Sequence, residues 1–110
     1  MERLNHVMKY AEKLTRDRID RHSSIYLIEC HDFVKVGIAD KPASRLIELQ
    51  VGCPYELRLL ASFAVRQSAA AERRLHELWK QYEVRGEWFR PPAGELAWAV
   101  NAHTFDDIFK

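Results

Sequence analysis

Ile25-Tyr26-Leu27-Ile28-Glu29-Cys30-His31-Asp32-Phe33-Val34-Lys35-Val36-Gly37-Ile38 is the stretch that decides the fold. Residues 25–30 and 33–38 are rich in β-branched and aromatic side chains, the composition of strands. His31-Asp32 is the natural turn between them, so the segment reads as a β-hairpin. A two-residue turn sets Ile28 opposite Lys35 and Tyr26 opposite Gly37. The turn lacks Asn-Gly, so its chemistry alone does not fix that register. In that register Tyr26 and Lys35 are diagonal neighbours on one face of the sheet. Gly37 then leaves room across from Tyr26, where a backbone or a ligand phosphate could approach.

On the C-terminal side, Asp40-Lys41-Pro42 starts a helix, with proline near its first turn. Leu46 and Leu49 give that helix an apolar side, and Gly52 ends it. Arg45 sits at the helix edge, where it could lean over the sheet. Residues 56–65 read as a third strand, polar at Glu56, Arg58 and Ser62. Gln67-Ser68 opens a strong helix over about residues 69–82, rich in good helix formers. Glu72, Leu75, His76 and Trp79 fall on one stripe of it. Leu75 and Trp79 want burial, so Glu72 and His76 lie on or beside the buried face. A carboxylate there needs a partner, which Arg45 or a hard cation could supply. Arg85-Gly86 makes a turn, and Trp88-Phe89 after it reads as core packing. Pro91-Pro92 punctuates the chain before a last helix from Glu95 to about His103. Thr104 is placed to cap one further turn through Phe109.

On the N-terminal side, Leu4, Val7, Met8, Ala11 and Leu14 recur at helical spacing, so residues 2–18 read as an amphipathic helix. The order helix, hairpin, helix, strand, helix, helix describes an α+β domain. Its expected sheet is small, mainly antiparallel and three-stranded, with helices covering it.

The chain has 110 residues, 47% hydrophobic and 30% charged, which is one domain's worth of ordinary globular composition. No apolar run approaches the ~20 residues that cross a bilayer, and Met1–Tyr10 is too polar for a signal peptide. Cys30 and Cys53 make neither a disulfide framework nor a Cys-x-x-Cys zinc site. The expected location is the reducing cytoplasm. A formal net charge of +1 excludes an overtly basic nucleic-acid binder. The charge is uneven, however: residues 34–90 carry ten Lys and Arg against seven Asp and Glu. After Arg90, three acids face only Lys110. A modestly basic middle and an acidic end are compatible with phosphate binding, though charge alone favours an ordinary solvated surface.

Taken together, the motifs resemble the GIY-YIG nuclease superfamily. Ser24-Ile25-Tyr26 stands at the first strand motif and Lys35-Val36-Gly37 at the second. Arg45 resembles the family's helix arginine, and Glu72 its single metal-binding glutamate. The stretch Ala71-Glu72-Arg73-Arg74-Leu75-His76-Glu77-Leu78-Trp79 and the later Gly86-Glu87-Trp88-Phe89 are similar to a compact phage-type branch, related to the meiotically up-regulated gene family. The resemblance covers residues 24–91 as the core. Residues 1–22 would be an N-terminal helical extension and residues 92–110 a C-terminal helical segment.

The resemblance implies metal-dependent cleavage of DNA phosphodiesters with a single Mg²⁺, or Mn²⁺ in its place. It implies that Tyr26 positions or deprotonates the attacking water and that Arg45 stabilises charge building on the phosphate. Glu72 would hold the ion, and His76, one turn on, could hydrogen-bond within the site. Ser24 replaces the family's first glycine. Lys35 replaces the second tyrosine: it can donate to a phosphate but leaves the phenol's role unfilled. The late asparagine has no match, and no role passes to Glu87. The alternatives are a catalytically impaired nucleic-acid-binding module on the same fold, or an accessory protein binding a protein partner or a second copy through its terminal helices. No separate DNA-reading domain stands in the sequence, so specificity would come from DNA structure, from little preference, or from a partner. A working site requires Tyr26, Lys35, Arg45 and Glu72 to face one concave surface within about 10 Å.

Overall fold

The computed structural model describes residues 23–110; the expected N-terminal helix lies outside the described residues. The hairpin forms as β1 (Ser24–Cys30) and β2 (Phe33–Ala39), with Tyr26 opposite Gly37 and Ile28 opposite Lys35. His31 takes a left-handed backbone at the turn, φ 56°, with its ring 4.5 Å from that of Tyr55. A single non-glycine residue there costs about 1 kcal/mol or somewhat more. Apolar side chains on both faces of the hairpin hold the register that the turn chemistry leaves open.

β3 (Arg58–Ala64) pairs antiparallel with β1, with a bulge between Leu27 and Ile28. Two further strands, β4 (Glu83–Arg85) and β5 (Trp88–Phe89), complete a sheet of order β3-β1-β2-β5-β4. The sheet therefore has five strands, all antiparallel, rather than the expected three. At three and two residues, β4 and β5 are too short for a two-residue period to show in sequence. Pairing of β5 on the free edge of β2 and the positive φ of Gly86 (57°) create them.

Helices cover both faces. Ile25, Leu27, Val34, Val36 and Phe63 line one face under Leu75 of helix α2 (Ser68–Leu78), Trp79 just past its end, and Ala99 of helix α3 (Ala93–Val100). Tyr26, Ile28 and Leu57 line the other, under Leu46 and Leu49 of helix α1 (Pro42–Val51). The helix expected over 69–82 ends at Leu78 and tightens into a 3-10 turn at Lys80–Tyr82. That turn accompanies burial of Trp79 and packing of Tyr82 on the core. Trp88 packs on the α1 side and Phe89 on the α2 side, so the aromatic pair does serve packing. No helix among the described residues is long and apolar enough to cross a membrane.

Thr104 caps the last turn, Phe105–Phe109, through a reciprocal box with Asp107. Thr104 Oγ1 accepts from the Asp107 N–H at 3.3 Å, and Asp107 Oδ2 accepts from the Thr104 N–H at 3.1 Å. The turn carries Phe105 and Ile108 into the core. Thr104→Ala is expected to lower unfolding free energy by about 1 kcal/mol, read by urea denaturation with an unchanged m-value.

Candidate active site

The site is built around β2. The Lys35 side chain and the bare side of Gly37 face α1, as does the Tyr26 side chain on β1. The space over Gly37 is filled by the Tyr26 ring itself rather than left open: a Cβ at 37 would land on Tyr26 Oη and Cζ. Tyr26 is only 2% exposed, wedged among Ile28, Leu57 and the α1 leucines. Its hydroxyl end meets Arg45, which α1 swings over the sheet because Pro42 starts the helix directly after β2. The Arg45 guanidinium is held above its ordinary pKa first by Glu48 and then by its hydrogen bond to Tyr26. Arg45 Nη1 lies 3.0 Å from Glu48 Oε2, but both side chains are largely exposed. Water screens such a pair and both side chains must be ordered to make it, so Arg45 can leave Glu48 for a phosphate at little cost.

The second half lies where β5 ends along the edge of β2. β5 pairs with Val34 and Lys35, and the Val36 N–H donates to the Glu87 carbonyl at 3.0 Å. Lys35 Nζ stands 3.1 Å from Glu87 Oε2 and 5.7 Å from the centre of the Trp88 ring. From α2, on the opposite face, His76 reaches the same edge: its Nε2 lies 3.0 Å from the Val36 carbonyl, to which it donates. The His76 ring packs 5.0 Å from Phe89. His76 therefore pins α2 to β2, and this sets where Glu72, one turn earlier, emerges.

Glu72 is half-buried and, among the described residues, makes no hydrogen bond or ion pair. Its carboxyl pKa is raised, chiefly by burial and next by the negative charge of Glu87, with partial relief from His76 and Lys35. Arg45, one expected partner, is engaged with Glu48 and Tyr26 instead. An unpaired carboxylate held beside another negative charge is what a divalent cation would relieve. Among the described residues no three His, Cys, Asp or Glu side chains gather as a ready ligand set. One carboxylate with water and phosphate oxygens suits Mg²⁺, which keeps several waters; it does not suit zinc.

The structure thus brings Arg45 to Tyr26, and Glu72 into the electrostatic reach of Lys35, His76 and Glu87. Glu87 is the residue that sequence reasoning passed over. Its signal is weak: it follows the Gly86 turn and sits 52 positions from Lys35. Only the β2–β5 pairing brings the two together.

A five-stranded antiparallel sheet with helices on both faces defines a small α+β domain, with Tyr26 and Arg45 together on the α1 face and Glu72 and His76 brought by α2 from the opposite face. The chain belongs to the T5orf172 domain family, whose model matches residues 23–109, roughly four fifths of the chain. This is a GIY-YIG-like, nuclease-associated family. No curated protein and no solved structure matches the chain.

Proposed function

We propose that the domain is a GIY-YIG-type DNA endonuclease that hydrolyses phosphodiester bonds with one Mg²⁺, or Mn²⁺, at Glu72. The observation that carries this reading is the seating of Tyr26 on Gly37 with its hydroxyl end against Arg45. A buried phenol seated on Gly37 beside a movable guanidinium suits in-line attack on a phosphate.

Tyr26 Oη orients the attacking water; as the water oxygen bonds to phosphorus, the bond to the leaving sugar oxygen breaks and the water's proton passes to solvent. Arg45 turns from Glu48 to the phosphate and offers two parallel N–H donors as negative charge grows on the non-bridging oxygens. Lys35, with an ammonium bearing three donors, supplies a further cation on the same face. A divalent ion at Glu72 would act as a Lewis acid toward the leaving oxygen. His76 keeps Glu72 aimed by holding α2 to the Val36 carbonyl.

The purified chain is expected to nick supercoiled DNA with Mg²⁺ and to stop when the ion is chelated. Arg45→Ala should lower kcat by roughly a hundredfold. Full cleavage in excess chelator sinks the mechanism. One observation favours a second reading, a nucleic-acid-binding module without catalysis: Lys35 stands where a second phenol is absent, and its charge is already paired with Glu87. Salt-sensitive DNA binding with no cleavage would select that reading.

A further inference from the structure

We propose that Glu87 is a positioning residue of this site: its carboxylate, aimed by the Gly86 turn, tethers the Lys35 ammonium at the β2–β5 junction. The inference rests on the endonuclease reading for its effect on rate, while the tether itself is a property of the free protein.

The Lys35–Glu87 pair differs in kind from the other ion pairs among the described residues. The Lys35 side chain is 15% exposed, whereas the cation of every other pair is at least 43% exposed. Pairs at exposed positions are worth little, because water screens them and both side chains must be ordered. Lys35 has lost most of its water, so its ammonium depends on the partner it has.

That partner is locked by backbone. The Glu87 carbonyl accepts from the N–H of Val36, the residue after Lys35, at 3.0 Å. Trp88, the residue after Glu87, is the register partner of Lys35 and lies under its ammonium. Gly86, at φ 57°, makes the turn that delivers Glu87 to this point. The backbone of Glu87 is therefore fixed to the strand that carries the lysine, which keeps its carboxylate within reach of the ammonium while β5 is paired.

Two consequences follow for the site. A free lysine stem has rotamer entropy to lose on gripping a ligand. The tether removes part of that cost in advance and leaves two of the three ammonium donors for a phosphate. The second consequence concerns Glu72, which feels the positive charge of Lys35. With Glu87 holding the ammonium at the β2–β5 junction, that charge keeps one place relative to the carboxylate.

The test is a cycle of Glu87→Gln, Lys35→Gln and the double variant, with plasmid nicking in Mg²⁺ as the rate readout. Glu87→Gln is expected to lower kcat by roughly tenfold or more, up to about a hundredfold, with KM for DNA within about twofold. The double variant should be no slower than Lys35→Gln alone, since Glu87 acts through the lysine. Glu87→Asp should recover part of the rate. Wild-type kcat in Glu87→Gln, or losses that multiply in the double variant, overturn the proposal. A second arm needs no DNA: the ¹⁵N-labelled Lys35 ammonium is followed by NMR in folded wild type and Glu87→Gln. Slow proton exchange in wild type and fast exchange or a shifted resonance in the variant support the tether. Identical resonances overturn it. A chain that cuts no DNA yet shows the Lys35 signature removes the endonuclease reading and leaves the tether standing.

Discussion

Glu72→Gln is expected to abolish Mg²⁺-dependent cleavage, by about a thousandfold or more, and at the same time to raise the melting temperature. The loss follows from its role: a carboxylate that binds a Lewis-acid cation supplies several kcal/mol of transition-state stabilisation, and each 1.36 kcal/mol is tenfold in rate. The gain in stability follows from its surroundings. The carboxyl is raised above its ordinary pKa chiefly by burial and then by Glu87. A carboxyl whose folded pKa lies above its unfolded value binds protons more readily in the folded state. Its charge therefore opposes folding at neutral pH, and the penalty is relieved as pH falls through the folded pKa. The amide carries no such charge. The stability difference between variant and wild type should thus be positive at neutral pH and shrink in acid. Added Mg²⁺ should raise the wild-type melting temperature and leave that of Glu72→Gln unmoved, since ligand binding to the folded state is what shifts the midpoint. A variant that cuts normally refutes the assigned role. One that melts well below wild type at neutral pH shows instead that Glu72 is a structural partner.

Stability traded for a poised charge is a common mark of functional sites, and here it separates what the sequence could and could not reveal. The hairpin register was legible because Tyr26, Ile28, Lys35 and Gly37 alternate with a fully apolar set, and a two-residue turn leaves one pairing that keeps both faces consistent. The α1 start at Pro42 and the Thr104 cap were legible for the same kind of reason: local chemistry dictates local backbone. The fourth and fifth strands were not. The β4 residues are all exposed and β5 has only two residues, so no periodicity marks them; the exposed edge of β2 makes them strands. Because β5 was invisible, so was the pairing of Glu87 with Lys35. Site chemistry that depends on contacts across a sheet cannot be read until the sheet is complete. The sequence also leaves open where Arg45 turns. It stood as a candidate partner for Glu72, and α1 carries it to Tyr26 on the other face.

Gly37→Ala is the change that tests whether Tyr26 is seated as described. Gly37 has no positive φ, so its backbone suits any residue, and the substitution should be harmless on conformational grounds alone. It should even gain a few tenths of a kcal/mol by restricting the unfolded chain. Space decides the other way. The new methyl would overlap Tyr26 Oη and Cζ and press Cε2 at 3.0 Å. The ring cannot retreat, because it is 2% exposed and packed among Ile28, Leu57, Leu46 and Leu49. Overpacking of this kind costs roughly 1–3 kcal/mol, or about 4–8 °C of melting temperature for each kcal/mol in a domain near this size. Whatever shift relieves the clash moves the phenol oxygen, and a displacement of about 1 Å costs roughly a hundredfold in rate. Gly86→Ala is the contrasting control: nothing lies near its missing side chain, and its φ of 57° is the whole difficulty. That variant should lose about 1 kcal/mol through backbone strain without touching Tyr26. In the Gly37→Ala background, Tyr26→Leu removes the atoms in the way. It should restore most of the melting temperature and none of the cleavage. Recovery of both would mean that the phenol is dispensable. A Gly37→Ala chain as stable and as active as wild type would mean that Tyr26 does not lie on Gly37, and the phenol would lose its place beside Arg45.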